Sequence, residues 1–130
     1  FSHLFKIFPT PKPTPKEMEA LLFSWKVAKH TKSNAIVLAR GAKTVGIGAG
    51  QMSRVDAVFI ATKKADTLTS GSVLASDAFF PKEDAVTLAA KFNIQAIIQP
   101  GGSIADEQII KTADKHHISM VFTGIRHFKH

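Results

Sequence analysis

Three residues with chemical capacity follow apolar runs that are typical of buried strands. Asp77 and Phe79 come soon after the run 73–75, and Arg126 follows the run from Ile118 to Phe122. Ligands of open α/β sheets bind beyond the carboxyl ends of parallel strands, so we expect these side chains to meet at one edge of a sheet. A carboxylate, a guanidinium and an aromatic ring together suit a planar ligand that carries negative charge.

A purely structural interpretation of these residues remains open. Asp77 and Arg126 would then pair only with each other, and Phe79 or Phe80 would pack inside the domain. The functional interpretation is favoured because two loop phenylalanines beside charged groups are hard to explain by packing alone.

A glycine-rich stretch, Gly46-Ile47-Gly48-Ala49-Gly50, joins a predicted strand to a helix that Ser53 caps. Glycine loops at such a place can hold phosphates, but the P-loop lysine is missing, and glycines that only let the chain turn explain the stretch equally well. Arg54 lies in the first helical turn, where a cation gains nothing from the helix dipole. That placement indicates either a ligand-facing role or plain solvent exposure. The apolar positions of this helix are Val55, Val58 and Phe59.

Six histidines and no cysteines bear on metal binding. No two histidines form an i, i+4 pair with an acid nearby, and His116 and His117 are adjacent, so we expect no catalytic metal. His130 could handle a proton or contact a phosphate, although terminal residues are often frayed. The lack of cysteine excludes disulfides and fits a reducing compartment.

These residues need a scaffold, and the first half of the chain predicts a helix and a hairpin. Thr14 can cap a helix with Pro15 in its first turn and Glu17 completing a capping box. The apolar runs 34–40 and 44–48 are predicted to form a hairpin.

The second half alternates strands with helices. Predicted strands cover 73–75, 96–98 and 118–122, and helices are expected to begin at Pro81 and after Ser103. Two consecutive strand-helix-strand units imply parallel strands with right-handed crossovers. The predicted fold is α/β, a three-layer α/β/α sandwich with a mixed sheet. We expect residues 1–13 to be a connector or edge strand and 14–130 to form one domain.

Composition narrows the class of partner. No apolar run approaches the roughly 20 residues that a membrane span needs, so no membrane is expected. A net charge of +7 would suit nucleic acid, but the lysines are scattered and tyrosine is absent. We therefore predict no nucleic-acid partner and favour phosphorylated or carboxylated small molecules.

Five blocks, in order, resemble the C-terminal part of the transformylase domain in the AICAR transformylase/IMP cyclohydrolase family. The blocks are SNAIV, GIGAGQMSR, SDAFFP, IIQPGGSIADE and FTGIRHFKH. The likeness runs from the helix at Thr14 to His130. It implies one of two cytidine-deaminase-like subdomains without zinc. It also implies formyl transfer from 10-formyltetrahydrofolate, as co-substrate, to the 5-amino group of AICAR in de novo IMP biosynthesis.

The resemblance also implies a set of site residues. Asn34 would contact the carboxamide region of AICAR. The rest of the expected substrate site, with Asp77 added from the strand-end argument, is Arg54, Asp77, Phe79, Arg126 and His130. The residues expected to meet the folate are Met52, Pro81 and Asp84.

Two departures bear on this transfer of roles. The Lys-His catalytic pair of the family belongs to the preceding subdomain, and Lys29-His30 stands in the wrong segment, so no catalytic residue is assigned here. Lys82 follows Pro81 where the family usually has an apolar residue. We expect a cytoplasmic homodimer that works with a missing N-terminal half. The alternative is a non-catalytic module that binds a purine nucleotide or folate.

Overall fold

A computed structural model describes residues 5–8 and 11–124 of the chain, so Arg126 and His130 lie outside the described residues. Six strands and four α-helices occur in this part. The strands are β1 (Lys6–Ile7), β2 (Ile36–Arg40), β3 (Lys43–Gly48), β4 (Val73–Ser76), β5 (Ala96–Gln99) and β6 (Ser119–Phe122). The helices are α1 (Pro15–Lys29), α2 (Arg54–Ala65), α3 (Asp84–Lys91) and α4 (Asp106–Lys115), and a 3₁₀ helix at Asp66–Thr69 follows α2.

The strands form one mixed sheet in the order β1-β6-β5-β4-β2-β3. Strands β4, β5 and β6 are parallel, with Leu74 opposite Ile97 and Ile97 opposite Met120. Strand β2 pairs antiparallel with both β3 and β4, and β1 lies antiparallel to β6 at the edge. The predicted hairpin and the predicted parallel strands are both confirmed.

Helices cover both faces of the sheet, which confirms the predicted three layers. Adjacent strand residues point to opposite faces, so Leu74 and Ala75 enter different cores. On one face α1 supplies Leu21 and Trp25. On the other face α2, α3 and α4 supply Val58, Val86 and Ile109, among others.

Helix α1 begins as the sequence predicts. The Thr14 side chain accepts a hydrogen bond from Glu17 N at 3.1 Å, and Glu17 Oε1 accepts from Thr14 N at 2.9 Å. Both halves of the capping box are therefore present, and Pro15 occupies the first turn, where a missing N–H is harmless.

The predicted starts of α3 and α4 are three and two residues too early. Helix α3 begins at Asp84 rather than Pro81, without a side-chain cap. Before α4, Ser103 Oγ accepts from Ala105 N at 3.0 Å, and Asp106 Oδ1 accepts from Ser103 N at 3.0 Å. These bonds hold residues 103–105 in a turn, so the helix begins only at Asp106.

Helix α2 lies against β3 through glycine and alanine. A Cβ added at Gly48 would lie 2.0 Å from Ala57 O, and one at Gly46 would lie 2.3 Å from Ala61 O. The helix therefore contacts the strand with its backbone. The buried face of α2 carries small residues there, and Phe59, one of the apolar positions of this helix, is 47% exposed.

No helix in the described part of the chain is both long enough and apolar enough to cross a membrane.

Candidate ligand-binding site

The segments that flank the β2–β3 hairpin stay together beyond the strands. Gly50 N donates to Lys32 O at 2.9 Å, and the backbones of Asn34 and Gln51 exchange hydrogen bonds of 3.4 and 3.5 Å. This pairing carries Asn34 to the N-terminus of α2. There the Ser53 side chain caps the helix by accepting from Asp56 N at 3.1 Å.

Arg54 makes a buried ion pair with Asp77. Arg54 Nη1 donates to Asp77 Oδ1 and also to Ala35 O, the latter at 3.4 Å. The two side chains are 7% and 0% exposed. Plain solvent exposure of Arg54, one of the two interpretations of its position, is therefore wrong. The Arg54 cation lies at the positive end of the helix dipole, and this unfavourable position is offset by the Asp77 carboxylate beside it.

The Asp77 carboxylate has partners on both oxygens. Oδ1 accepts from Ala35 N at 3.2 Å as well as from Arg54, and Oδ2 accepts from Ser33 Oγ at 2.5 Å. A buried carboxylate is costly unless it is paired and hydrogen-bonded, and this one is both. The Ser33–Asn34 peptide bond beside it is cis.

The Asn34 amide is held from two sides. Its Oδ1 accepts from Arg54 Nη2 at 2.5 Å, and its Nδ2 donates to Gln51 O at 2.9 Å. A guanidinium can only donate and a carbonyl can only accept, so these partners fix which end of the amide carries oxygen. One N–H and one lone pair of the amide remain for another molecule.

An open cleft of about 300 Å³ lies over this network. The residues lining it are Asn34, Met52, Ser53, Arg54, Ala78, Phe79 and Pro81. Five of the nine predicted site residues thus share one cleft, and expected AICAR contacts and expected folate contacts stand side by side. The Met52 side chain is 95% exposed at this rim.

The two phenylalanines after β4 occupy different environments. Phe80 is fully buried in the core with α2 and α3, so the expectation of two exposed loop phenylalanines is wrong. Phe79 is half-buried and lines the cleft. Gly102, in the loop after β5, faces it, since a Cβ there would lie 4.0 Å from Phe79 Cδ2. The carboxyl ends of β4 and β5 therefore meet at Phe79.

The remaining predicted residues do not line this cleft. Asp77 is fully buried behind its wall. Asp84 is exposed in the first turn of α3, where Oδ1 accepts from Ala85 N at 2.8 Å. Arg126 and His130 fall outside the described residues. The proposed pairing of Asp77 with Arg126 stays untested, and Arg54 is a partner of Asp77 that this alternative did not include.

Two contributors were not predicted from the sequence. Ser33 adds a hydroxyl to the carboxylate, and Gln51 adds its backbone carbonyl to the Asn34 amide. The polar pair Ser33-Asn34 directly before an apolar strand was a usable signal for Ser33. A backbone carbonyl gives no such signal, because every residue has one.

No group of three His, Cys, Asp or Glu side chains within residues 5–8 and 11–124 could hold a metal ion.

Sequence comparison connects this chain with known proteins. The family model of the AICARFT/IMPCHase bienzyme matches residues 2–64. The bifunctional purine biosynthesis protein PurH of Persephonella marina is 59% identical over 128 residues, which is 96% of this chain. The PurH protein of Halalkalibacterium halodurans is 64% identical over 119 residues, or 92% of the chain. The chain belongs to the AICARFT/IMPCHase bienzyme family.

The chain spans about a quarter of the length of these bienzymes, 25% of the first and 23% of the second. Among solved structures, Acinetobacter baumannii RibD has a similar fold, with a TM-score of 0.53 at 11% sequence identity. The match covers 80% of this chain and 33% of RibD. This likeness concerns the fold alone, and it agrees with the predicted cytidine-deaminase-like α/β/α class.

Proposed function

We propose that this chain is the C-terminal part of a transformylase domain and supplies part of its substrate site. The reaction is formyl transfer from 10-formyltetrahydrofolate to the 5-amino group of AICAR, in the synthesis of IMP. The observation that carries the proposal is the Asn34 amide, held by Arg54 and Gln51 at the wall of a cleft that Phe79 also lines.

The free N–H and lone pair of Asn34 complement a primary carboxamide, which offers one acceptor and one donor in return. The Phe79 ring supplies a wall for a flat heterocycle. Arg54 is already neutralised by Asp77, so this part of the cleft suits the uncharged ring and carboxamide better than the phosphate. The phosphate needs cations elsewhere, and Arg126 and His130 are our proposed donors.

On the folate side, Met52 and Pro81 give the rim an apolar surface that suits a pteridine ring. Asp84 lies three residues after Pro81, at the first position of α3 and outside the cleft, and we keep it as a proposed contact to a more distant part of the folate.

The reaction transfers a formyl group between two bound molecules. The AICAR amine attacks the formyl carbon, a C–N bond forms, the bond from that carbon to N10 of the folate breaks, and a proton passes from the amine to N10. This chain contributes orientation, which lowers the barrier by holding the reacting groups together. The groups that move the proton belong, in this proposal, to the rest of the bienzyme.

The expected partners follow from the same proposal. The chain works with the other three-quarters of a bienzyme, and the homodimer and the cytoplasmic location stay predictions of the resemblance. The non-catalytic binding module is the second candidate, because no Lys-His catalytic pair is assigned within this chain.

The test is a chimera in which this chain replaces the matching segment of the Halalkalibacterium halodurans PurH protein. Formyl transfer is measured by mass spectrometry of the formylated product, and AICAR affinity by calorimetry. We expect turnover, and we expect Asn34→Ala to lower kcat/KM about ten- to a hundredfold, because it leaves a guanidinium N–H unpaired and removes a carboxamide partner.

Gln108→Ala is the matched control, since it removes an exposed side-chain amide on α4 and does not line the cleft. It should leave kcat/KM unchanged. A folded chimera that neither binds AICAR nor turns it over contradicts the proposal. Binding without turnover favours the non-catalytic module.

A further inference from the structure

We propose that Asp77 is a positioning residue, which sets the orientation of the Asn34 amide by acting through Arg54 and does not itself contact the ligand. This inference deepens the proposed function and rests on it for the choice of AICAR as probe. It replaces the direct substrate contact that the sequence suggested for Asp77.

Asp77 is not accessible from the cleft. Its side chain is fully buried, it does not line the cleft, and both carboxylate oxygens already accept hydrogen bonds from Ser33, Ala35 and Arg54. A ligand in the cleft would have to displace one of these donors to reach it. Asp77 therefore acts on groups behind the surface.

Asp77 fixes the guanidinium group of Arg54. The carboxylate and the Ala35 carbonyl both accept from Nη1, so the guanidinium plane is fixed on one side. Nη2 then points to Asn34 Oδ1. A long arginine side chain has several rotatable bonds, and only such an anchor holds its outer nitrogen at one place.

The anchored Arg54 in turn fixes the Asn34 amide. Gln51 O fixes the Nδ2 end, and the anchored Nη2 fixes the Oδ1 end. If Arg54 were released, only the single bond to Gln51 O would oppose rotation of the Asn34 side chain. While Arg54 is anchored, the Asn34 amide presents its donor and its acceptor at fixed places, and it therefore selects a carboxamide in one orientation. The Asp77–Arg54 pair is thus a specificity device for the amide end of the ligand.

The first experiment uses the 130-residue chain without any ligand. In Asp77→Asn, the new amide can still accept from Ala35 N and donate to Ser33 Oγ, so the substitution removes mainly the charge. Nitrogen-15 NMR of the Asn34 side-chain amide is the measurement. We expect the Nδ2 proton that bonds Gln51 O to exchange with water at least about tenfold faster in the variant, because local opening frees it.

Asp56→Asn is the matched control. Asp56 is exposed, lies on the same helix as Arg54 and makes no hydrogen bond or ion pair with Asp77 or Asn34, so its substitution should leave the Asn34 amide signals in place. An Asn34 amide that keeps its chemical shifts and its protection in Asp77→Asn overturns the inference, because the carboxylate would then have no influence on it.

The second experiment is a double-mutant cycle in the chimera, with the Kd for AICAR as readout. Asp77→Asn should raise the Kd about tenfold when Arg54 is present. In an Arg54→Met background the same substitution should change the Kd by less than about twofold, since the residue through which it acts is gone. An equal effect in both backgrounds would mean that Asp77 acts on the ligand directly, and it would refute the positioning role.

Loss of a partner from a buried ion pair also destabilises a fold. Ser33→Ala is the milder variant, because it removes the bond to Asp77 Oδ2 and leaves the charge of Asp77 in place. It should shift the Asn34 signals in the same direction as Asp77→Asn, and no shift in a folded Ser33→Ala counts against the inference. If the wild-type chimera fails to bind AICAR, the proposed function fails, while the NMR measurement still decides the role of Asp77.

Discussion

The two faces of the sheet are packed in different ways, and only one of them holds the helix that presents Arg54 to the site. Helix α1 covers its face with large side chains, among them Trp25 and Leu21. Helix α2 rests on β3 through Gly48 and Ala57, with backbone against backbone. When a helix shifts, side chains at the contact can adopt other rotamers, whereas two backbones in contact have no such way to adjust. The position of the helix that presents Arg54 is therefore tightly defined.

The largest expected change in stability is on the α1 face. Trp25→Ala should lower the free energy of unfolding by about 3 to 5 kcal/mol, because it removes a nearly buried aromatic side chain and leaves a cavity. Urea unfolding followed by circular dichroism measures this loss. The Asn34 side-chain NMR signals of the folded variant should match those of the wild type, and a clear shift would show that the two faces are coupled.

A smaller loss of stability with a larger effect on the site is expected on the α2 face. Gly48→Ala puts a Cβ about 2.0 Å from Ala57 O, so the helix must move away from the strand. Such overpacking costs about 1 to 3 kcal/mol, and the movement should disturb the Arg54 contacts. Urea unfolding gives the cost, and the Asn34 NMR signals report the movement.

Gly41→Ala is the control for Gly48→Ala. Gly41 has a φ of +60° with no atom within 4 Å of an added Cβ, so this variant has backbone strain without a clash. It should lose stability and leave the Asn34 signals unchanged. If Gly48→Ala also leaves them unchanged, the close contact does not position the site.

The smallest effect is expected at Phe59. This ring is half-exposed on α2 and has Lys63 Nζ 5.6 Å from its centre, so its removal opens no core cavity. Phe59→Ala should change the free energy of unfolding by less than about 0.5 kcal/mol and leave the site intact. A loss of 2 kcal/mol or more in urea unfolding would show that the ring contributes to the core after all.

Local signals in the sequence predicted the fold well. The capping box at Thr14 involves residues three positions apart, and the parallel strands are short apolar runs between turns, so both can be inferred without knowing the tertiary structure. The start of α4 could not be inferred in this way, because Ser103 bonds to Ala105 in a turn that competes with the helix.

The sequence predicted which residues belong to the site better than it predicted how they contact one another. The family blocks drew attention to Asn34, Arg54 and Phe79, and all three line one cleft. The pairing of Arg54 with Asp77 joins residues 23 positions apart, and only the docking of α2 on β2 and β3, next to β4 in the sheet, brings them together. Phe80 was misjudged for a similar reason, since alternation along the chain cannot tell which of two adjacent rings enters the core.

The buried ion pair also links the site to cooperative unfolding. One partner belongs to α2 and the other to the segment after β4, so the Asn34 amide is ordered only while both are docked. A molecule that binds the cleft binds only this docked state and stabilises it by mass action. Saturating ligand should therefore slow hydrogen exchange in α2 and β4 together, as though they were a single unit.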